Sequence, residues 1–100
     1  MRIEKEVKDE ELTIKVEGRL DTNTAPELED SVNDDIVGIK VLNIDLKNLD
    51  YISSAGLRVI LKFHKQMTSV GGTLTIFSPK DEVLDVFDMT GFSTFLNIKE

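Results

Sequence analysis

Polar and apolar residues alternate in two segments near the start of the chain, at residues 2–7 and 11–16. A period of two is typical of strands that bury one face, and the polar residues 8–10 between the segments favour a turn. The two segments therefore predict a β-hairpin. Apolar or β-branched residues predict three further strands, at residues 39–46, 73–77 and, for a short last strand, 95–98.

Apolar residues spaced by three and four predict three helices, over residues 25–36, about 55–70, and after residues 78–81. Thr24 and Glu27 have the spacing of a capping box at the start of the first helix. Glycines at positions 38, 71, 72 and 91 are expected to end the three helices. The residues expected to face inward are Ala25, Leu28, Val32 and Ile36, then Leu57, Ile60, Leu61, His64 and Met67, then Val83, Leu84, Phe87 and Met89.

The order of these elements predicts the fold class. Two strands followed by alternating helices and strands indicate a single α/β domain over residues 1–100, with a mixed sheet of four to five strands and helices mainly on one face. The second strand is expected to end at Gly18 and to run parallel to the strand that ends at Leu46. Their carboxyl ends would then share one edge of the sheet with the first two helix starts, and ligands often bind at such an edge.

Composition narrows the function classes. The chain has 40% hydrophobic and 31% charged residues, no cysteine and a net charge of −7. The acidic balance argues against nucleic-acid binding, which needs a basic face for the phosphates. The apolar runs are too short for a membrane span and the first residues do not resemble a signal peptide, so we expect a cytoplasmic protein without direct membrane insertion.

The predicted edge of the sheet carries hydroxyl, amide and carboxylate side chains. They come from two loops: Asp21, Thr22, Asn23 and Thr24 from the first, and Asp50, Ser53 and Ser54 from the second. A serine before a helix can accept an unpaired backbone N–H, and the same amides and helix dipole would hold a phosphate on that serine. The pattern therefore fits both a plain helix cap and a serine that is switched by phosphorylation.

Catalysis has little support in the sequence. A nucleophilic Ser54 would need a nearby base, but the only histidine, His64, follows ten residues later on the same helix, about 15 Å along its axis. There is no glycine-rich phosphate loop and no acidic spacing diagnostic of a metal loop. We therefore expect no catalytic residue, metal or cofactor. Met89, Phe92 and Phe95 are expected to pack in the core rather than form a contact patch.

Three segments carry a resemblance to a known family. Residues 18–25 (GRLDTNTA) resemble a G-x-L-D-x-x-x-A stretch, residues 43–57 (NIDLKNLDYISSAGL) resemble the strand, loop and helix around a phosphorylated serine, and residues 87–92 (FDMTGF) resemble the end of a third helix. These are features of the STAS domain, the fold of bacterial anti-sigma factor antagonists. The middle segment is the most specific, and the resemblance covers nearly the whole chain.

The resemblance implies a partner-switching mechanism. An unphosphorylated antagonist binds an anti-sigma factor that is also a serine kinase and so frees the sigma factor; phosphorylation inactivates it, and a metal-dependent serine phosphatase reverses the step. The phosphoacceptor falls on Ser54, and Asp21 falls on the family's loop aspartate. The residues expected around the phosphosite and the partner are Asp21, Thr22, Asn23, Ser53, Ala55, Gly56, Leu57 and Arg58.

One residue departs from the family pattern and leaves an alternative open. Many antagonists have aspartate directly before the phosphoserine, whereas this chain has Ser53, so two adjacent hydroxyls compete as acceptor.

The alternative to a phosphorylated antagonist is a STAS subunit that docks on a membrane transport ATPase and is never phosphorylated. An apolar surface on the second helix would favour this alternative.

Overall fold

The computed structural model describes residues 1–100 and contains six strands and three α-helices. The strands are β1 (Arg2–Lys8), β2 (Glu11–Leu20), β3 (Val41–Asp45), β4 (Leu49–Ile52), β5 (Thr73–Phe77) and β6 (Asn97–Lys99). The helices are α1 (Ala25–Asn33), α2 (Ser54–Ser69) and α3 (Asp81–Thr90), and a single 3₁₀ turn (Phe92–Thr94) follows α3.

The strands form one mixed sheet in the order β1-β2-β3-β5-β6, and β4 pairs with β2 outside this path. The predicted hairpin is confirmed: β1 and β2 are antiparallel, and Asp9 takes a positive φ of 56° in the turn between Lys8 and Glu11. All other pairings are parallel. The α/β class with a mixed sheet is therefore confirmed, with one strand more than expected, because the segment leading into α2 forms β4.

Strand β2 changes its neighbour partway along its length. Its first half pairs with β3, from Glu11 to Lys15, and its last three residues pair with β4. The register shifts between Gly18 and Arg19, and Gly18 has a φ of +99°, a conformation that glycine adopts without a steric penalty. The prediction that Gly18 ends the strand was wrong, because the glycine forms an irregularity that lets β2 continue to Leu20.

The core lies between the helices and one face of the sheet. Alternate residues of the central strands are fully buried, including Ile14 of β2 and Ile44 of β3, while their neighbours remain half-buried or exposed. This alternation is what a sheet with helices on one face requires. Each large apolar side chain buried there stabilises the fold by roughly 1.5–3 kcal/mol. The helical residues that complete the core are Leu28 and Val32 of α1, Ile60, Phe63 and Met67 of α2, and Val83 and Phe87 of α3.

Helix α2 matches its predicted span within one residue, but its inner face is rotated slightly from the prediction. Gly56, Ile60, Phe63 and Met67 form its buried line, whereas Leu61 and His64, both expected to face inward, are only half-buried. The helix ends as expected before two glycines, where the Gly72 N–H donates to the Met67 carbonyl at 2.7 Å.

Helix α1 ends at Asn33, three residues before its predicted end at Ile36. No basic residue stands in its last turn, where the dipole would favour one. The cation comes instead from the sheet: Lys5 of β1 donates to the Ser31 carbonyl at 3.1 Å and pairs with Asp35 at 2.7 Å. This contact is nonlocal, so the sequence around α1 gives no sign of the cation at its end.

Two further predictions, that Met89 and Phe95 pack in the core, were wrong. Gly91 ends the helix in the left-handed conformation as predicted, but Met89 is 80% exposed and Phe95 is 40% exposed rather than buried in the core. The helix starts at Asp81 after Lys80, without a side-chain cap from Ser78. Ser78 instead takes a positive φ of 54° in the turn that leaves β5.

Candidate functional site

The site is built where β2 and β4 end side by side. Leu20 and Ile52 are register partners in the parallel pairing, and the Ser53 N–H donates to the Leu20 carbonyl at 2.9 Å. The loop that follows Leu20 therefore lies beside the Ser53–Ser54 step that opens α2. Two loops that are far apart in sequence meet at one edge of the sheet, and each leads directly into a helix.

Gly56 allows α2 to start very close to these strand ends. A Cβ atom on Gly56 would lie 2.7 Å from Cγ of Leu20 and 2.9 Å from Cγ1 of Ile52, which is closer than real Cβ atoms approach. Both neighbours are buried, at 0% and 3% exposure. The absence of a side chain at this position therefore brings the start of the helix, and with it Ser54, close to the sheet.

Asp21 organises the first loop. Its Oδ1 accepts the backbone N–H groups of Asn23 at 3.0 Å and Thr24 at 3.1 Å, and it lies 3.2 Å from the Thr24 hydroxyl oxygen, whose single hydrogen it shares with the Arg19 carbonyl. The Thr24 N–H donation is the main cause that lowers the pKa of the Asp21 carboxyl below its ordinary value. Desolvation, the next largest effect, raises this pKa, while the Asn23 N–H, the Thr24 hydroxyl and the Arg19 guanidinium each lower it further. Asp21 is therefore charged at neutral pH and holds its loop in a fixed turn.

The predicted capping box at Thr24 and Glu27 does not form. The Thr24 hydroxyl donates to the Arg19 carbonyl at 2.8 Å and accepts the Asp21 N–H at 2.9 Å, and it makes no cap bond to α1. The polar groups of the turn form hydrogen bonds with one another instead. The Ala25 N–H, for example, donates to the Asp21 carbonyl at 2.8 Å. The helix start is thus fixed by the Asp21 turn rather than by a reciprocal cap.

The two adjacent serines have different surroundings. Ser54 is the first residue of α2, and its side chain is exposed and makes no hydrogen bond. Ser53 occupies the N-cap position, but its hydroxyl oxygen is buried and has no hydrogen-bond partner, so the expected side-chain cap is absent. Only its backbone joins the helix, because the Ser53 carbonyl accepts the Leu57 N–H at 3.0 Å. Sequence reasoning could not distinguish the two hydroxyls, and burial does.

The predicted neighbours of the phosphosite differ in their surroundings. Gly56 and Leu57 are buried and contribute by packing. Thr22 and Arg58 line a groove of about 320 Å³ between α1 and α2, together with Ala25, Pro26, Glu29, Ala55, Val59 and Lys62. Asn23 is exposed in the turn between β2 and α1. The outer residues of the site therefore border a groove that begins beside Ser54.

Two residues at the site were not predicted. Arg19 stacks on the ring of Tyr51, with its guanidinium 4.2 Å from the ring centre, and lies 3.9 Å from the Asp21 carboxylate. Tyr51 is 41% exposed. Their cross-strand register depends on the β2–β4 pairing, so no local sequence pattern could have identified the pair. Asp50, expected at the same edge, instead pairs with Lys80 at the start of α3.

The remaining chemistry-bearing residues lie elsewhere. His64 stacks against Phe95 with ring centres 5.0 Å apart. No group of three or more histidine, cysteine, aspartate or glutamate side chains is arranged to hold a metal ion. None of the three helices combines the length and the apolar character needed to cross a membrane.

Comparisons with known proteins agree with this architecture. The STAS domain family matches residues 2–100. The anti-sigma-B factor antagonist of Listeria monocytogenes is 30% identical over 105 residues, which cover 99% of this chain and 90% of that protein. BtrV of Bordetella bronchiseptica is 51% identical over 49 residues, so the match spans 49% of this chain and only 42% of that protein.

Two solved structures of SpoIIAA have the same fold. The unphosphorylated anti-sigma factor antagonist has a TM-score of 0.85 at 19% identity, and 97% of this chain matches 87% of that one. The phosphorylated form, a Bacillus cell fate determinant, has a TM-score of 0.77 at 18% identity, with 97% and 90% of the two chains matched. With the family match over nearly the whole length, these similarities establish that the chain belongs to the STAS domain family.

Proposed function

We propose that this protein is an anti-sigma factor antagonist that works by partner switching. Unphosphorylated, it binds an anti-sigma factor that is also a serine kinase, and a sigma factor is released. Phosphorylation of Ser54 ends that binding, and a metal-dependent serine phosphatase restores it. The protein acts in the cytoplasm as a binding partner rather than as an enzyme. The names of its relatives, and the SpoIIAA structures in both phosphorylation states, support this proposal.

The exposure of Ser54 is the observation that carries the proposal. A kinase must reach the hydroxyl oxygen, and Ser54 offers an exposed one at the first position of α2, whereas the Ser53 oxygen is buried. The aspartate that many antagonists have before the phosphoserine is replaced by Ser53, so the proposal requires a kinase that does not depend on that carboxylate. Ser54 is therefore the acceptor.

Phosphorylation at this position changes the surface without unfolding the domain. A phosphate adds about −1.5 to −2 charges, which the amides and dipole at a helix start accommodate. The Ser54 side chain makes no hydrogen bond that the phosphate would break. A partner that covers this surface would, however, have to desolvate the phosphate, and an unpaired buried charge strongly disfavours binding.

The transport-subunit alternative receives less support. An apolar surface on the second helix would favour it, but Arg58, Lys62 and Lys65 are exposed on α2. A charged helix face beside an exposed serine is better suited to a reversible contact that responds to phosphate.

Phosphopeptide mass spectrometry on the protein purified from its own cells tests the acceptor. We expect phosphate on Ser54 in the wild type and in Ser53→Ala, and none in Ser54→Ala. The two single substitutions remove the same group from neighbouring residues, so each is the control for the other. Phosphate on Ser53 alone would show that the acceptor is wrongly assigned, and no phosphate under any growth condition would favour a constitutive docking subunit.

Binding to a recombinant serine-kinase anti-sigma factor from the same genome tests the switch. By isothermal titration calorimetry with a non-hydrolysable ATP analogue, we expect Ser54→Ala to bind as the wild type does and Ser54→Asp to bind at least tenfold more weakly. Ser53→Asp is not a usable control because it buries a charge. If Ser54→Asp bound as tightly as the wild type, the surface-charge switch would be wrong.

A further inference from the structure

Helix α2 has an unusual charge pattern for this molecule. It contains no acidic residue, although the whole chain has 19 acidic residues and a net charge of −7. Arg58, Lys62 and Lys65 follow each other at spacings of four and three and are all exposed, so they form one row on the outer face of the helix. The other two helices are acidic and carry Glu27, Glu29 and Asp30 in α1 and Asp81, Glu82, Asp85 and Asp88 in α3.

Most of the charge in this row is not neutralised within the protein. Lys62 pairs with Glu29 of α1, but Arg58 and Lys65 form no ion pair. The row extends over roughly 10 Å, given the rise of 1.5 Å per residue. A local basic surface on an acidic protein attracts a partner of opposite charge and orients it.

Two residues of this row, Arg58 and Lys62, border the groove between α1 and α2, whereas Lys65 lies outside it. Ala25, Pro26, Ala55 and Val59 supply its apolar lining. Glu29 also lines it but is paired with Lys62, so the unpaired charge at the groove is the cation Arg58. A groove with apolar walls and cations on one side suits a segment that combines a small apolar side chain with carboxylates. Its volume of about 320 Å³ is enough for one or two side chains, not for a whole element.

We infer that Arg58, Lys62 and Lys65, which we call the basic row, together with the α1–α2 groove, bind an acidic segment of the anti-sigma factor kinase. This inference rests on the proposed function and names the chemistry of the partner's contact surface. Carboxylates of the partner face the basic row, and an apolar side chain beside them enters the groove.

The position of Ser54 gives this contact a means of regulation. Ser54 precedes Arg58 by four residues, so both lie on the same side of α2 one turn apart. A phosphate on Ser54 places about −1.5 to −2 charges at the end of the basic row. It neutralises part of the row and repels the partner's carboxylates, so the contact weakens where the phosphate is added.

Two charge-reversal variants with the same net charge test the inference. Arg58→Glu/Lys65→Glu reverses the two unpaired cations of the basic row and leaves the Lys62–Glu29 pair intact. Lys15→Glu/Lys47→Glu reverses two other unpaired cations, which border a shallow depression on the uncovered face of the sheet. Binding of each variant to the same recombinant serine-kinase anti-sigma factor is measured by calorimetry at several salt concentrations, after thermal unfolding shows that both are folded.

We expect the basic-row variant to bind at least tenfold more weakly, with a weaker salt dependence, and the control variant to bind within about twofold of the wild type. If the two variants bound equally well, the basic row would not be the contact, even though the Ser54 switch could still hold. If both were weakened equally, net charge rather than this row would govern binding, and the inference would also be wrong. Failure of the wild type itself to bind would overturn the proposed function and the inference together.

Discussion

The substitution Gly56→Ala tests whether the close approach of α2 to the sheet is a structural requirement. Alanine is favoured over glycine within a helix by up to about 1 kcal/mol, so local propensity alone predicts a more stable protein. The structure predicts the opposite. The new Cβ would lie 2.7 Å from Cγ and 3.0 Å from Cδ2 of Leu20, and 2.9 Å from Cγ1 of Ile52.

Neither neighbour can move away freely, because Leu20 is 0% exposed and Ile52 is 3% exposed. Forcing one extra methyl group into a well-packed core costs about 1–3 kcal/mol. With two side chains displaced, we expect the upper part of that range and a net loss of about 1–2 kcal/mol after the helix gain. Urea unfolding followed by far-UV circular dichroism measures this change in the free energy of unfolding.

A double-mutant cycle with Leu20→Ala gives the matched control. Leu20→Ala removes both Leu20 atoms that the new methyl group would meet, so Gly56→Ala should cost about 1–2 kcal/mol less in that background than in the wild type. The reasoning would be refuted if Gly56→Ala stabilised the wild type, or if its effect were the same in both backgrounds.

Three further predictions concern stability, all by urea unfolding. Asp21→Asn is expected to lower the free energy of unfolding at neutral pH. Because the pKa of Asp21 is lowered in the folded state, this difference in stability from the wild type should shrink as the pH falls below about 4, and a pH-independent difference would contradict the prediction. Gly72→Ala should cost about 1–3 kcal/mol, since its Cβ would lie 2.5 Å from the Lys40 carbonyl oxygen, and a neutral effect would show that this backbone can yield. Phe63→Ala should cost about 3–5 kcal/mol because the ring is fully buried, and a loss below 1 kcal/mol would place Phe63 outside the core.

The local elements were readable from the sequence because each depends on neighbouring residues. The alternation in residues 11–16 and the β-branched run of β5 were sufficient for strands, and Gly71 and Gly91 marked helix ends through their own conformational freedom. The order of the elements also predicted that β2 and β3 run parallel and end on the same side of the sheet, because a helix joins them.

Other features depend on contacts between distant segments, and only the tertiary structure decided them. The change of partner by β2 at Gly18 creates β4 and sets Arg19 over Tyr51, yet nothing in either segment specifies the other. Lys5, which lies in β1, supplies the cation at the C-terminal end of α1.

The two adjacent serines also combine a feature that is local with one that depends on tertiary contacts. The sequence by itself determined that two hydroxyls stand at the start of an amphipathic helix, because helical periodicity and capping preferences are local properties. It could not determine which hydroxyl is accessible. The tertiary structure decided that Ser53 turns its oxygen inward and Ser54 lies exposed, because burial depends on how closely α2 approaches the ends of β2 and β4, and Gly56 sets that distance through contacts with Leu20 and Ile52.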